Sequence, residues 1–337
     1  MSERVLSVKE LNRALLARQG LLERTTDPIP RMLERMAGLQ AQYAPSMYIG
    51  LWSRVEGFER DDLTRALEDR TVIQATLMRS TIHLVSREDY WLLAEATRPA
   101  RRAHWLRVTK SEEAPIAAAA EALREALAGG ETIRRKDVEA LIGKEETRAV
   151  GLWVDIVRAP PSGTWERRRA DLYALAEDWI GPRPDIRRED AVDHLVTRYL
   201  AGFGPATAKD VVSFTGLAPG DIAASLERLG LAGDLLDVPG SPLPDPDTPA
   251  PPRFLGTWDA SLLVHARRTG FLPEEMRPRI FGTKTPQSFP TFTLDGSIAG
   301  TWKYDKGRIE LSPLRRMSKA DRTALNDEAE RLTALHR

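Results

Sequence analysis

Three times along this chain, short helices are followed by a strand or a strand pair, and that repeated order limits the folds open to it. The first occurrence begins with a helix over Val8–Arg18, where Leu11, Leu15 and Leu16 form one stripe. Ser7 and Glu10 have the spacing of a capping box at its start. A second helix over 28–36 carries Ile29, Met32, Leu33 and Met36 at helical spacing and stops at Gly38. A third runs from a cap at Asp61 to Asp69. The apolar and β-branched run Thr71–Val85 then reads as strand, with Leu77, Arg79, Thr81 and His83 sharing one face. Helices followed by a strand pair is the order of a winged helix.

The second occurrence follows a helical stretch over 90–107, with Pro99 as the place where it kinks or splits. An alanine-rich helix over 114–128 leads to an amphipathic helix over 133–142 with Thr132 as its cap, and then to Leu152–Val157. The basic hairpin Gly163-Thr-Trp-Glu-Arg-Arg-Arg169 comes after a Pro-Pro-Ser-Gly turn. The third is the clearest: helices over 188–201, 208–215 and 221–229, with a short strand at Leu235–Val238. Seven prolines between Pro239 and Pro252 mark a stiff, extended connector. Beyond it a short helix follows Asp259. Strands over 289–294 and 297–303 flank the hairpin dipeptide Asp295-Gly296, a further strand spans 307–312, and a helix spans 319–335.

A chain of 337 residues holds two or three units of domain size. Cysteine is absent, which excludes disulfides and thiolate-bound zinc and fits a reducing cytoplasm. The amino terminus has no apolar signal region and no apolar run reaches membrane length, so a cytoplasmic protein without membrane attachment is expected. Lys plus Arg and Asp plus Glu both number 49. Nucleic-acid binding by net charge is thereby excluded; any such binding needs a local patch.

Two such patches and one polar pair stand out. Arg98, Arg101, Arg102, His104, Arg107 and Lys110 lie in a stretch with no acidic residue, with Trp105 among them. Basic residues interleaved with an aromatic suit a phosphate backbone and a stacked base, although a solvated helix face has the same composition. Arg167, Arg168 and Arg169 form the second patch. Arg79 and His83 suggest a working surface or a satisfied domain contact. Gln40 and Gln42, two apart, lie on one side of an extended segment once the chain leaves the helix at Gly38. Such a pair either is solvated or holds one water between an acceptor oxygen and a donor nitrogen without adding charge. Gly202-x-Gly204 joins two helices and lacks the third glycine of a dinucleotide fingerprint. The histidines show no metal-ligand spacing, and neither Gly-x-Ser-x-Gly nor a phosphate loop occurs. No metal or cofactor is called for.

Several segments together resemble the AlkZ-like and YcaQ-like family, which includes bacterial DNA glycosylases. They are Leu39-Gln40-Ala41-Gln42, Gly50-Leu-Trp-Ser-Arg54, Thr76-Leu-Met-Arg-Ser-Thr-Ile-His-Leu84 and Tyr199-Leu-Ala-Gly-Phe-Gly-Pro205. Trp258-Asp259 with Leu262-Leu263 and His265, and Asp295-Gly296 with Gly300-Thr-Trp302, complete the set. The resemblance implies an α+β, mainly α fold: three tandem winged-helix units in a C shape and a β-containing carboxy-terminal unit. The units would span 1–115, 116–185, 186–252 and 253–337, and the concave side would take duplex DNA. The family's catalytic motif is Gln-x-Gln in the AlkZ-like branch and Gln-x-Asp in the YcaQ-like branch, so Gln40 and Gln42 become the catalytic candidates. His265 is a further site candidate. It departs from the family's His-x-Asp-Arg, because Arg267 stands where an acidic residue is common.

The implied activity is hydrolysis of the N-glycosidic bond of N7-alkylated purines in duplex DNA, with bulky adducts and interstrand crosslinks as the wider substrate class. It would serve DNA repair or self-resistance to a DNA-alkylating product, and the protein would act as a monomer. Such a base is already cationic and leaves neutral, so no general acid is needed, and two carboxamides can position the water. Arg79, His83, Arg98, Arg101, Arg102, Arg107 and Arg167–Arg169 are the expected DNA contacts. The alternative is a non-catalytic winged-helix DNA-binding protein such as a transcription regulator.

Overall fold

In a computed structural model that describes residues 5–262, 270–282 and 288–337, helices and strands alternate as an α+β fold dominated by helix. The first segment contains α1 (Val8–Arg18), α2 (Ile29–Arg35), β1 (Leu39–Gln40), α3 (Ala44–Trp52), α4 (Arg60–Glu68), β2 (Val72–Thr76), β3 (Ile82–Ser86) and α5 (Arg87–Thr109). The expected capping box at Ser7 and Glu10 closes on α1, with both reciprocal hydrogen bonds made. The cap of α4 is Glu59 paired with Asp62, not Asp61. Helix α3 has no counterpart in the sequence reading. All nine of its residues are buried, so it has no polar face and no helical stripe to betray it.

The run Thr71–Val85 is not one strand. Its middle closes into a tight turn, where Leu77 N–H donates to Thr81 O at 3.0 Å and Ser80 N–H to Leu77 O at 3.1 Å. Arg79 and Ser80 are left-handed there, with φ of +53° and +57°. The alternation that would put Leu77, Arg79, Thr81 and His83 on one face is therefore broken: His83 is in β3 and Arg79 at the turn. Helix α5 is likewise not split at Pro99. It runs unbroken through the proline, with Ala94, Ala96, Thr97, Arg98 and Arg101 buried.

The second segment holds α6 (Glu113–Leu127), β4 (Ile133–Arg134), α7 (Arg135–Ile142), α8 (Lys144–Ala149), β5 (Ile156–Arg158), β6 (Leu172–Leu175) and α9 (Ala176–Ile180). Thr132 is not a helix cap, because Ile133–Arg134 pair with β6 before α7 begins. In the first segment the strand after α2 (β1), and in the second the strand after α6 (β4), pairs with the last strand of its segment, which pairs with the middle one. This is the order of elements and pairing of a winged helix. The two strand sets are joined: β2 pairs with β5 through Gln74↔Arg158 and Ala75↔Val157, giving one antiparallel sheet ordered β1-β3-β2-β5-β6-β4.

The third segment has the helices α10 (Arg188–Phe203), α11 (Ala208–Thr215) and α12 (Pro219–Arg228). The strand expected at Leu235–Val238 is reduced among the described residues to one bridge, Ala206↔Leu236. The proline-rich connector is strapped along α1. Lys9 pairs with Asp247 at 2.6 Å, Arg13 Nε donates to Thr248 O at 2.8 Å, and Arg18 Nε donates to Pro242 O at 3.1 Å, with its other nitrogens on both carboxylate oxygens of Asp237 just upstream, at 2.6 and 2.9 Å.

The carboxy-terminal segment has β7 (Arg253–Leu255), α13 (Arg277–Ile280), β8 (Thr291–Leu294), β9 (Ser297–Asp305), β10 (Arg308–Pro313) and α14 (Lys319–His336). Its sheet is antiparallel, ordered β10-β9-β8-β7. Asp295 and Gly296, with φ of +49° and +75°, form the expected turn between β8 and β9. Most of the helix expected after Asp259 lies outside the described residues, as does His265. Among the described residues no helix is long and apolar enough to cross a membrane.

Candidate active site

The chain turns out of α2 through two left-handed residues, Ala37 (φ +54°) and Gly38 (φ +82°). A Cβ at residue 38 would meet Val85 Cγ1 at 3.0 Å and Leu84 O at 3.1 Å, so glycine lets β1 lie this close to β3. Leu39 and Ala41 are 2% exposed and anchor the segment in the core. Leu39 pairs with Leu84 and Gln40 with His83. Alternation sends Gln40 and Gln42 the other way; Gln40 meets Arg79 of the turn between β2 and β3, and Gln42 meets Ile82, the first residue of β3.

Each carboxamide is held by its oxygen. Arg79 Nη2 donates to Gln40 Oε1 at 3.0 Å. The backbone N–H of Ile82 donates to Gln42 Oε1 at 2.9 Å, while Ile82 O accepts from Ala41 N–H at 2.7 Å. Gln42 thus completes with its side chain the ladder that β1 leaves unfinished. Because both donors are N–H groups, each contact fixes the oxygen rather than the nitrogen of its amide. Among the described residues each oxygen accepts this one hydrogen bond, which leaves it a further lone pair. Gln40 is buried and Gln42 exposed, which sets the pair at the edge of the protein interior.

Arg79 is half-buried and His83 buried. The Arg79 guanidinium also donates to Phe214 O at the end of α11 and lies over the Phe214 ring, 5.1 Å from its centroid. Burial lowers its pKa to about 10, so it stays charged at neutral pH. His83 is 1% exposed. Its Nδ1–H donates to Thr81 O at 2.9 Å, and a carbonyl can only accept, so this contact fixes the Nδ1–H tautomer. Burial, with Arg79 and Arg101 adding positive charge, pushes its pKa down to about 3.

His83 is therefore neutral when folded and takes a proton near pH 6.5 once unfolded. A depressed folded-state pKa makes its stability contribution complete above about pH 6.5 and progressively lost as pH falls toward 3. Thermal unfolding followed from pH 7 to pH 5 should show falling stability, with a shallower fall in His83→Gln. Equal slopes in the two proteins would remove His83 as the cause.

The basic run on α5 does not form one open face. Arg98 bridges Glu95 and Asp155, reaching Asp155 Oδ2 at 3.0 Å. Arg101 is buried and donates to Thr76 O at 2.6 Å. Arg102 donates to Leu152 O at 2.7 Å and Trp153 O at 3.1 Å. These three cations tie α5 to the first two segments, and of the expected contacts on this helix Arg107 is exposed. The loop between β5 and β6 differs. Arg167, Arg168 and Arg169 are all exposed, and with Arg134, Ser162 and Asp171 they line a cavity of about 260 Å³.

That loop also reaches the residue that follows the glutamine pair. Arg168 Nη1 donates to the hydroxyl of Tyr43 at 3.2 Å, and Tyr43 directly follows Gln42. Tyr43 is 42% exposed and caps the amino end of α3. It is a surface aromatic beside the candidate catalytic pair, which the sequence reading passed over because α3 went unseen.

The model of the family described as DNA glycosylase AlkZ-like matches residues 33–335. Among solved structures, the DNA glycosylase AlkZ of Streptomyces sahachiroi is similar in fold, with a TM-score of 0.82 and 17% sequence identity. The match covers 98% of this chain and 97% of that one. The comparison with curated proteins returns no match.

Proposed function

This chain belongs to the AlkZ-like DNA glycosylase family, and from that premise we propose that it removes N7-alkylated purines from duplex DNA, with Gln40 and Gln42 as its catalytic residues. The observation that carries this reading is the immobilised glutamine pair. Two neutral acceptors are fixed from behind by Arg79 and by Ile82 N–H. Among the described residues, no carboxylate is hydrogen-bonded to Gln40, Gln42, Arg79 or His83.

The chemistry matches that set of groups. Water held by the carboxamide oxygens attacks C1′ as the bond from C1′ to the purine nitrogen breaks. The bonding electrons neutralise the cationic base, which leaves without a general acid, and the water's second proton passes to solvent. The amide oxygens present the negative ends of their dipoles to the oxocarbenium-like carbon. A normal purine is a far poorer leaving group, and the glutamine pair supplies no acid to protonate it. Arg167–Arg169, exposed beside Tyr43, are suited to the phosphate backbone next to the lesion. Bulky adducts and interstrand crosslinks belong to the same proposal, since Gln42 lies at the surface.

The test uses the purified protein with three duplexes carrying 7-methylguanine, a nitrogen-mustard crosslink, or undamaged guanine. Release from either lesion with none from guanine is expected. Equal release of normal guanine, or none from either lesion, would overturn the substrate assignment.

A further inference from the structure

We propose that Arg79 is a positioning residue that acts through Gln40 and is anchored by the third helical segment, rather than a DNA contact. This rests on the assignment of Gln40 as catalytic. Four observations converge on it. One guanidinium nitrogen donates to Gln40 Oε1 at 3.0 Å, and another donates to Phe214 O. The cation also lies over the Phe214 ring. Its backbone is left-handed, a costly conformation for a non-glycine residue, and the hairpin turn holds it so that the side chain spans β1 and α11. Lastly, no carboxylate pairs with Arg79 among the described residues.

A half-buried cation still gains from a compensating negative group, and here the carboxyl end of α11 supplies it. The last carbonyls of a helix carry partial negative charge, and Phe214 O is one of them. The chain then leaves α11 at Gly216 (φ +73°), where a Cβ would lie 3.5 Å from Arg79 Cγ and 3.5 Å from Arg79 N. The turn is thus packed against the helix end. Arg79 is committed on both sides by contacts within the protein. Its effect at the site is to hold the Gln40 oxygen in one orientation, leaving one lone pair for the water.

A positioning residue and a phosphate contact differ in what they change. Arg79→Ala should lower kcat for lesion excision by about 10- to 100-fold, as is usual for outer groups that orient a catalytic one. KM and DNA affinity should stay within about twofold of wild type. Arg79→Lys should recover part of kcat, because an ammonium can meet one of the two acceptors but cannot fork between them. The decisive measurement is a double-mutant cycle. If Arg79 acts through Gln40, then Arg79→Ala should cost nothing further in a Gln40→Ala background.

Thermal melts of each variant establish that it is folded, and Arg79→Lys carries the test if the alanine variant is not. A loss of DNA affinity, with the slope of log affinity against log salt reduced by about one, would make Arg79 a phosphate contact and overturn the proposal. Additive losses in the cycle would overturn it as well. Full activity in Gln40→Ala would instead strike the catalytic assignment of Gln40 itself, so the two failures are distinguishable.

Discussion

Replacing Gln40 and Gln42 together by alanine should abolish lesion excision while leaving DNA affinity unchanged. The two oxygens are the fixed acceptors of the proposed site, and losing a preorganised dipole aimed at the reacting centre costs on the order of 10²- to 10³-fold in kcat. Losing both should leave only spontaneous depurination. Affinity should survive because neither glutamine is charged and most of the affinity for DNA comes from phosphate contacts. The converse belongs to the loop between β5 and β6. Arg167→Ala/Arg168→Ala/Arg169→Ala should weaken binding and flatten its salt dependence by up to about three in the log–log slope, with kcat at saturating DNA little changed. Gel-shift titrations across a salt series, run beside single-turnover excision, separate the two effects. An excision rate in the double glutamine variant close to wild type would remove the pair from the mechanism. Neither amide titrates, so the wild-type rate at saturating substrate should also be level from pH 6 to 9, where a general base would give a sloping limb.

How much of this was legible in the sequence depended on how local the physics was. Ser7 with Glu10, Gly38 after α2 and Asp295-Gly296 between β8 and β9 act within a few residues, and each does in the fold what its spacing implies. The exit at Gly38 is what made the glutamine pair readable. Two local features were hidden. Helix α3 is apolar on every side and so has no period, and the turn between β2 and β3 contains neither glycine nor proline. Long-range pairing was not readable at all. Nothing in Arg98, Arg101 and Arg102 announces that Asp155, Thr76 O and Leu152 O will take their guanidinium groups. A run of cations therefore looked like one surface when it is mostly a brace. The joining of β2 to β5 is of the same kind, since Gln74 and Arg158 become neighbours only when both hairpins exist.

Arg54→Ala should destabilise the protein by about 3–5 kcal/mol, the cost of leaving one member of a buried ion pair alone. Arg54 and Asp259 both belong to segments that carry the family resemblance, and they meet with side chains 0% and 1% exposed. Arg54 Nη2 donates to Asp259 Oδ1 at 2.9 Å and Nη1 to Gly50 O at 2.9 Å, while Asp259 Oδ1 also accepts from Ser261 N–H at 3.0 Å. Removing the arginine strands the carboxylate and opens a cavity, two costs that add. Asp259→Ala should cost a comparable amount by stranding the cation. Arg54→Met/Asp259→Leu, which replaces both charges by apolar groups, should cost less than either single change. The pair also bears on catalysis. Arg54 follows α3, whose first turn comes just after Gln42, and a Cβ at Gly256 would lie 2.9 Å from Ser46 Cα. The segment holding Asp259 is thereby clamped on the helix that leads away from the proposed catalytic pair. Chemical unfolding read by tryptophan fluorescence, with excision measured below the transition, should show the single variants losing stability and rate together. Single variants within about 1 kcal/mol of wild type, the worth of an exposed pair, would show that the ion pair is not what fixes α3 in place.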